Sequence, residues 1–309
     1  MLHENKRSLI LKRRSFLIAS AAAGIAAAGE AVYGKRPTAT QSLRRPKVDQ
    51  LLEVTQVPAI AIAGAIQGRP FLETAGVRAS SGKNAIVANT CFPAASLSKP
   101  VFAWAVRDLV KQGKLEWAKP LEDYVKLGLS GDAKRITAEH VLTHSSGLTN
   151  WRFQAGKELI AEFTPGSKWQ YSGEGIFLLQ RVVEKIVDTP IAIYMKKKVL
   201  EPLGMTSSTY SWTPQIQTRA ASGHNSRGFP LERSLEFFER RNHETLHQAG
   251  LESESATFEE IVAAYEKAKL PALPVGISPN MAGSLWTTVE DYPKFLKRVL
   301  GDSHRPPGL

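Results

Sequence analysis

Ser96-Leu97-Ser98-Lys99, followed at once by Pro100, constrains this chain more than any other stretch. Proline lacks an N–H and has a fixed φ, so a helix tolerates it in the first turn and breaks around it further in. Pro100 therefore predicts a helix whose mouth lies at Ser96. The run from Val101 to Val106, then Leu109-Val110, is apolar almost all round, as in a helix buried in a core. Gly113 supplies its stop. Residues i and i+3 share a helix face, so the Lys99 amine can reach the Ser96 hydroxyl. A serine hydroxyl is a poor nucleophile at neutral pH until a base or charge stands beside it. Lys99 can take or relay its proton. The helix N-terminus favours a developing alkoxide, and the Ser96 N–H can form half of an oxyanion hole. Ala94-Ala95 bring small residues to the turn. Alone, the motif is weak and reads first as a capping serine beside a solvated lysine.

The chain has 309 residues, 43% of them hydrophobic, enough for one large globular domain or two. Its net charge of +11 is unevenly placed. Residues 1–47 hold ten Lys/Arg against two Glu, and residues 48–309 hold thirty against twenty-seven acidic residues. The basic excess sits in the leader, so the body carries no footprint for nucleic acid. The single cysteine, Cys91, excludes an intrachain disulfide and reads as a half-buried strand residue. The seven histidines are scattered, with no metal-ligand spacing, and the reading calls for no metal and no cofactor.

Residues 1–34 have the layout of a signal peptide. Lys12-Arg13-Arg14-Ser15-Phe16-Leu17 precedes a small-residue, mildly apolar run from Ile18 to Ala28. The arginine pair resembles a twin-arginine signal, a route that exports folded protein. Cleavage is expected within Ala28–Lys35. The run is too short for a comfortable span, so no stable membrane span is expected after cleavage, and the destination is periplasmic or secreted. An uncleaved anchor is the rival. Residues 35–47 read as a polar linker, and 48–309 as the folded domain.

Along that domain, Val48–Glu53 starts a helix. Residues 58–66 read as a buried strand, 67–70 as a turn and 71–77 as the returning strand of an antiparallel hairpin. Residues 85–92 lead into the serine turn. Thr137–His144 reads as a short helix. Gly173–Asp188 is a strong helix, with Ile176, Leu179, Val182, Val183 and Ile186 at helical spacing. Residues 191–200 continue helically. Thr257 to Glu260 is a capping box for a helix to Lys269. Residues 231–255, dense in charge, read as a solvated surface excursion. The last helix runs from Thr288 through Leu300.

A second motif, Trp169-Gln170-Tyr171-Ser172-Gly173, precedes the strong helix. A tyrosine at such a junction can point its phenol into a cleft, and a nearby lysine lowers its pKa toward that of a usable base. In isolation the motif reads first as a half-buried tyrosine with a satisfied hydroxyl.

Five landmarks then arrive in order: Phe92 to Pro100, Leu142 to Leu148, Pro165 to Ser172, Leu203-Gly204-Met205 and Ala282 to Thr288. Over about residues 50 to 300 the chain resembles the serine hydrolases related to class C β-lactamases, D-alanyl-D-alanine carboxypeptidases and family esterases. The resemblance implies an α+β fold, β-lactamase/penicillin-binding-protein-like. An antiparallel sheet carries packed helices, and the active site lies between it and a helical region. It implies an acyl-enzyme on Ser96, with Lys99 as activator and Tyr171 as proton shuttle. His144 reads as structural.

The sequence departs from the pattern twice. Related enzymes often carry Tyr-x-Asn, where the amide touches substrate; here the third position is Gly173, which favours an esterase or peptidase over a true β-lactamase. The third box, Lys-x-Gly or His-x-Gly on a strand supplying the second oxyanion-hole N–H, does not occur after Tyr171. Lys111-Gln112-Gly113 and Lys126-Leu127-Gly128 fit the spacing but lie upstream. The chain stops where further strands and a final helix would be expected, so the domain is expected to be C-terminally incomplete. Loss of one oxyanion donor costs about 10²–10³ in rate, and weak activity or marginal stability is the expectation. The function expected is a serine hydrolase for a small ester, amide or peptide. The rivals are a non-catalytic or penicillin-binding remnant and a purely structural periplasmic domain.

Overall fold

A computed structural model describes residues 48–154, 158–225, 227–231 and 234–303. The signal-peptide and linker readings fall outside the described residues.

Helix α1 (Val48–Thr55) leads into a hairpin of β1 (Ala59–Ile66) and β2 (Arg69–Gly76), paired antiparallel with Ile66 opposite Arg69. Gln67 and Gly68 alone form the turn, both at positive φ (52° and 77°). Two such residues make the mirror-image turn whose twist matches paired strands. Pairing therefore reaches the tip and takes in Arg69 and Pro70, which the sequence had assigned to the turn. β1 was expected to be buried; it is half-buried and exposed at its tip. Among the described residues it pairs only with β2.

Gly76 ends the hairpin at φ 96°, where a Cβ would stand 2.1 Å from the Pro58 carbonyl oxygen. Gly76→Ala is expected to destabilise the protein by more than about 1 kcal/mol, because left-handed strain adds to a backbone clash. Denaturant unfolding checks this; an unchanged midpoint would contradict it.

A second antiparallel pair joins distant segments, β3 (Phe92–Pro93) against β4 (Trp286–Thr287). From β3 the chain enters a 3₁₀ turn, Ala95–Leu97, and then α2 (Ser98–Lys111), with Pro100 in its first turn as expected. α2 buries one face, Val101, Phe102, Ala105, Val106 and Leu109, and is not buried all round. That face shares one core with Ile176, Leu179, Val182 and Val183 of α4 (Gly173–Val187). Short α3 (Ala138–Leu142) packs on α4 and is capped by Thr137, whose side chain accepts from the His140 N–H. α5 (Ile191–Met195) continues as a π-helical turn, Lys196–Leu200. α6 (Pro214–Arg219) follows.

The largest correction concerns residues 231–255. They contain α7 (Leu235–Gln248), which buries Glu239, Asn242, Thr245 and Leu246. Three of those four side chains are polar, so the inward face has the composition of an outward one. Asn242 is held by a polar network: its Nδ2 donates to the Ser278 carbonyl at 2.9 Å, and the Tyr265 hydroxyl donates to its Oδ1 at 2.8 Å. Tyr265 lies on α8 (Phe258–Lys267), which starts with the expected Thr257–Glu260 capping box. α9 (Tyr292–Ser303) starts later than expected, because Thr288 Oγ1 accepts from the Asp291 N–H and holds a turn there.

Cys91 is fully buried, not half-buried, in an isolated bridge to Ala220. Burial pushes its thiol up to about 11, so it is an inert packing residue.

Candidate active site

The serine turn is clamped by the segment 280–285. The Ala94 N–H donates to the Leu285 carbonyl at 2.8 Å. Ser98 Oγ donates to the Ala95 carbonyl at 2.6 Å and accepts from the Leu285 N–H at 3.0 Å. The Tyr210 hydroxyl donates to the Ser98 carbonyl at 3.0 Å. Segment 279–281 is itself pinned to α4, where Gln180 donates to the Pro279 carbonyl and accepts from the Met281 N–H at 2.9 Å. Between these clamps Ala95 sits at φ 46°, a left-handed conformation that is strained for a residue with a Cβ. Such strain persists where surrounding bonds over-determine the backbone, as they do here.

The structure brings the three predicted side chains together. Lys99 Nζ donates to Ser96 Oγ at 3.1 Å and to the Ala282 carbonyl at 2.7 Å. The Tyr171 hydroxyl donates to Ser96 Oγ at 2.7 Å, from 75 residues away in sequence. The lysine nitrogen also lies 4.9 Å from the centre of the Tyr171 ring. Lys99 is buried, and its ammonium donates to the serine oxygen and a backbone carbonyl beside the Tyr171 ring. Burial pushes the Tyr171 phenol up, but hydrogen bonding with Lys99 and Ser96 and the lysine charge outweigh it, and the net direction is down.

Tyr171 is oriented by neighbours from the Leu142–Leu148 landmark. The His144 ring lies 4.4 Å from the Tyr171 ring, and its Nδ1 accepts from the Ser172 N–H at 3.3 Å. Burial, then the charge of Lys99, lowers the His144 pKa, which keeps the imidazole neutral and that lone pair available. The Ser172 side chain caps α4 by accepting from the Gly175 N–H and donates to the Thr149 carbonyl at 2.9 Å.

The sequence reading did not single out Trp151. Asn150 accepts from the Gly173 N–H through Oδ1 at 2.9 Å and from the Glu174 N–H through its carbonyl at 2.8 Å. Arg152 pairs with the fully buried Glu174 at 3.1 Å. Trp151, fixed between them, lies over Gly173, where a Cβ would stand 2.3 Å from its indole carbon. The missing side chain at 173 and the indole are one feature: a ring fills the room an amide would need. The signal was the glycine itself, whose missing Cβ lets another group approach the backbone closely. Gly173→Asn is expected to destabilise by about 1–3 kcal/mol through overpacking, and Trp151→Ala in the same chain to recover part of that loss. Equal melting temperatures for Gly173→Asn and wild type would contradict the close approach.

Ser96 and Trp151 line one cleft of about 200 Å³, with walls from α7 and from segment 275–284. Among the described residues no cluster of three His, Cys, Asp or Glu side chains could hold a metal ion.

A mixed fold with a helix-mouth serine, its lysine one turn on and a tyrosine from a second helix start is that of the β-lactamase and penicillin-binding proteins. Residues 45–308 match the family model described as Beta-lactamase, and the chain belongs to that family of serine hydrolases. It is 26% identical over 204 residues to a Beta-lactamase of Providencia stuartii, covering 61% of this chain and 52% of that protein. It is 30% identical over 148 residues to Esterase EstB of Burkholderia gladioli, covering 38% of each. The fold is similar to that of D-alanine carboxypeptidase AmpC from Burkholderia cenocepacia, with a TM-score of 0.61 at 19% identity, over 84% of this chain and 64% of that one. The chain thus spans about half the length of the first of these curated relatives and under two thirds of that solved structure.

Proposed function

We propose that the protein is a serine hydrolase that acts on a small ester, amide or peptide through an acyl-enzyme on Ser96. The observation that carries this reading is the shared oxygen: Lys99 Nζ and the Tyr171 hydroxyl both lie within hydrogen-bond reach of Ser96 Oγ. As Oγ bonds to the substrate carbonyl carbon, its proton passes to Tyr171 in the phenolate form, which the ammonium of Lys99 favours. The Ser96 N–H, in the first helical turn, supplies one donor to the oxyanion. The proton then goes to the leaving group as the carbonyl–leaving-group bond breaks. Water, deprotonated by the same oxygen as phenolate, attacks the ester on Ser96, and the phenol returns that proton to Oγ as the acyl–Oγ bond breaks.

The indole of Trp151 over Gly173 supports an esterase or peptidase rather than a true β-lactamase, because position 173 offers no amide to a substrate. The leader motif Lys12 to Leu17 supports an exported protein. Among the described residues no helix is long and apolar enough to cross a membrane.

The test is turnover of a nitrophenyl ester by purified protein, alongside labelling by fluorescent penicillin. Turnover with a serine adduct is expected. An adduct without turnover would replace this reading by a penicillin-binding remnant, and neither by a structural domain.

A further inference from the structure

The cleft beside Ser96 has a feature that acyl transfer does not use. Glu239, on the inward face of α7, lies in its wall and is 95% buried. Its Oε2 has no hydrogen-bond partner. Among the described residues no lysine, arginine or histidine pairs with this carboxyl. Burial pushes its pKa up to about 7, partly offset by the hydroxyls of Ser278 and Ser284, which also line the cleft. A buried carboxyl without a counter-charge is costly when ionised, and a glutamine of the same size would avoid the charge. Such a group is relieved by a ligand that brings a positive charge and N–H donors.

The neighbouring walls suit such a ligand. Trp151 and Phe238 flank the cleft with aromatic rings, and Leu235 adds an apolar stretch. Aromatic faces attract cations, and apolar walls take the methylenes that carry them. Arg241 lies over the Phe238 ring at 5.7 Å and is not part of the lining.

We propose that this cleft is a specificity subsite for a primary alkylammonium group, received by Glu239 between Trp151 and Phe238. The substrate of Ser96 would then be an ester, amide or peptide bearing a free amino group. The substrate class rests on the hydrolase reading above; the ammonium site does not require turnover.

The test is direct binding, followed by calorimetry, of n-hexylammonium, 1-hexanol and hexanoate to the full chain. The expected result is at least tenfold tighter binding of the ammonium than of the alcohol, with hexanoate weakest. In Glu239→Gln the ammonium-to-alcohol ratio is expected to fall to about one, with the melting temperature recorded to show that the variant is folded. The wild-type comparison needs no variant at all. Equal binding of ammonium and alcohol, preference for hexanoate, or a ratio that persists in Glu239→Gln would each overturn the proposal. If ammonium binds and no ester is turned over, the subsite stands and the hydrolase reading falls. If esters are turned over without ammonium selectivity, the reverse holds.

Discussion

Ser96→Ala is expected to lower ester turnover by about 10⁴-fold or more while leaving the fold intact. Removing a nucleophile removes the covalent route, and what survives comes from binding and oxyanion stabilisation alone. Among the described residues the Ser96 side chain hydrogen-bonds to Lys99 and Tyr171 alone, and the serine turn is held by other atoms: the Ala94 and Leu285 backbone, Ser98 Oγ and Tyr210. The turn should therefore survive the substitution, and circular dichroism with a melting curve separates lost chemistry from lost structure. A rate within tenfold of wild type would show that another group does the work.

Lys99→Ala is expected to cost about 10²–10⁴ in rate, the range for a group that moves or promotes a proton in the transition state. Its effect has a signature that a packing defect lacks. Lys99 is the charge that helps hold the Tyr171 phenol below its ordinary value of 10.0, against burial, which pushes it up. Without the lysine that opposing cause is left with less against it, so the phenol titrates at higher pH. A base that must be ionised works above its pKa, so the rising limb of the pH–rate profile moves to higher pH in the variant. Near-ultraviolet titration of phenolate, with Tyr171→Phe as the control that removes the signal, follows the same shift. An unchanged rising limb would break the link between the two residues. The variant also leaves the Ala282 carbonyl without its lysine donor, and some loss of stability is expected.

The sequence revealed the site where its chemistry is local. Ser96 and Lys99 stand one helical turn apart, and Pro100 fixes where that helix starts, so their proximity follows from helix geometry alone. Tyr171 is 75 residues from Ser96, and no periodicity brings it there; the order of five landmarks did. The strong helix, the hairpin and the capped helix at 257 were legible because apolar period, turn residues and caps all agree there. What stayed hidden was decided by long-range packing. Trp151 is a loop residue whose position depends on Asn150 and Arg152 being fastened to the start of α4. α7 was misread because its buried face is made of Glu239, Asn242 and Thr245. Polar groups inside signal nothing to a reading based on apolar spacing: Asn242 is met by Ser278 and Tyr265, Thr245 donates to the Arg241 carbonyl of its own helix, and Glu239 is buried with its Oε2 unpartnered.

The most direct measurement is peptide mapping of the protein after reaction with a fluorophosphonate or a slowly hydrolysed ester. A mass increase of one adduct confined to the peptide holding Ser96, and lost in Ser96→Ala, is the result this account expects. An adduct on a different residue, or labelling that persists in Ser96→Ala, would contradict it.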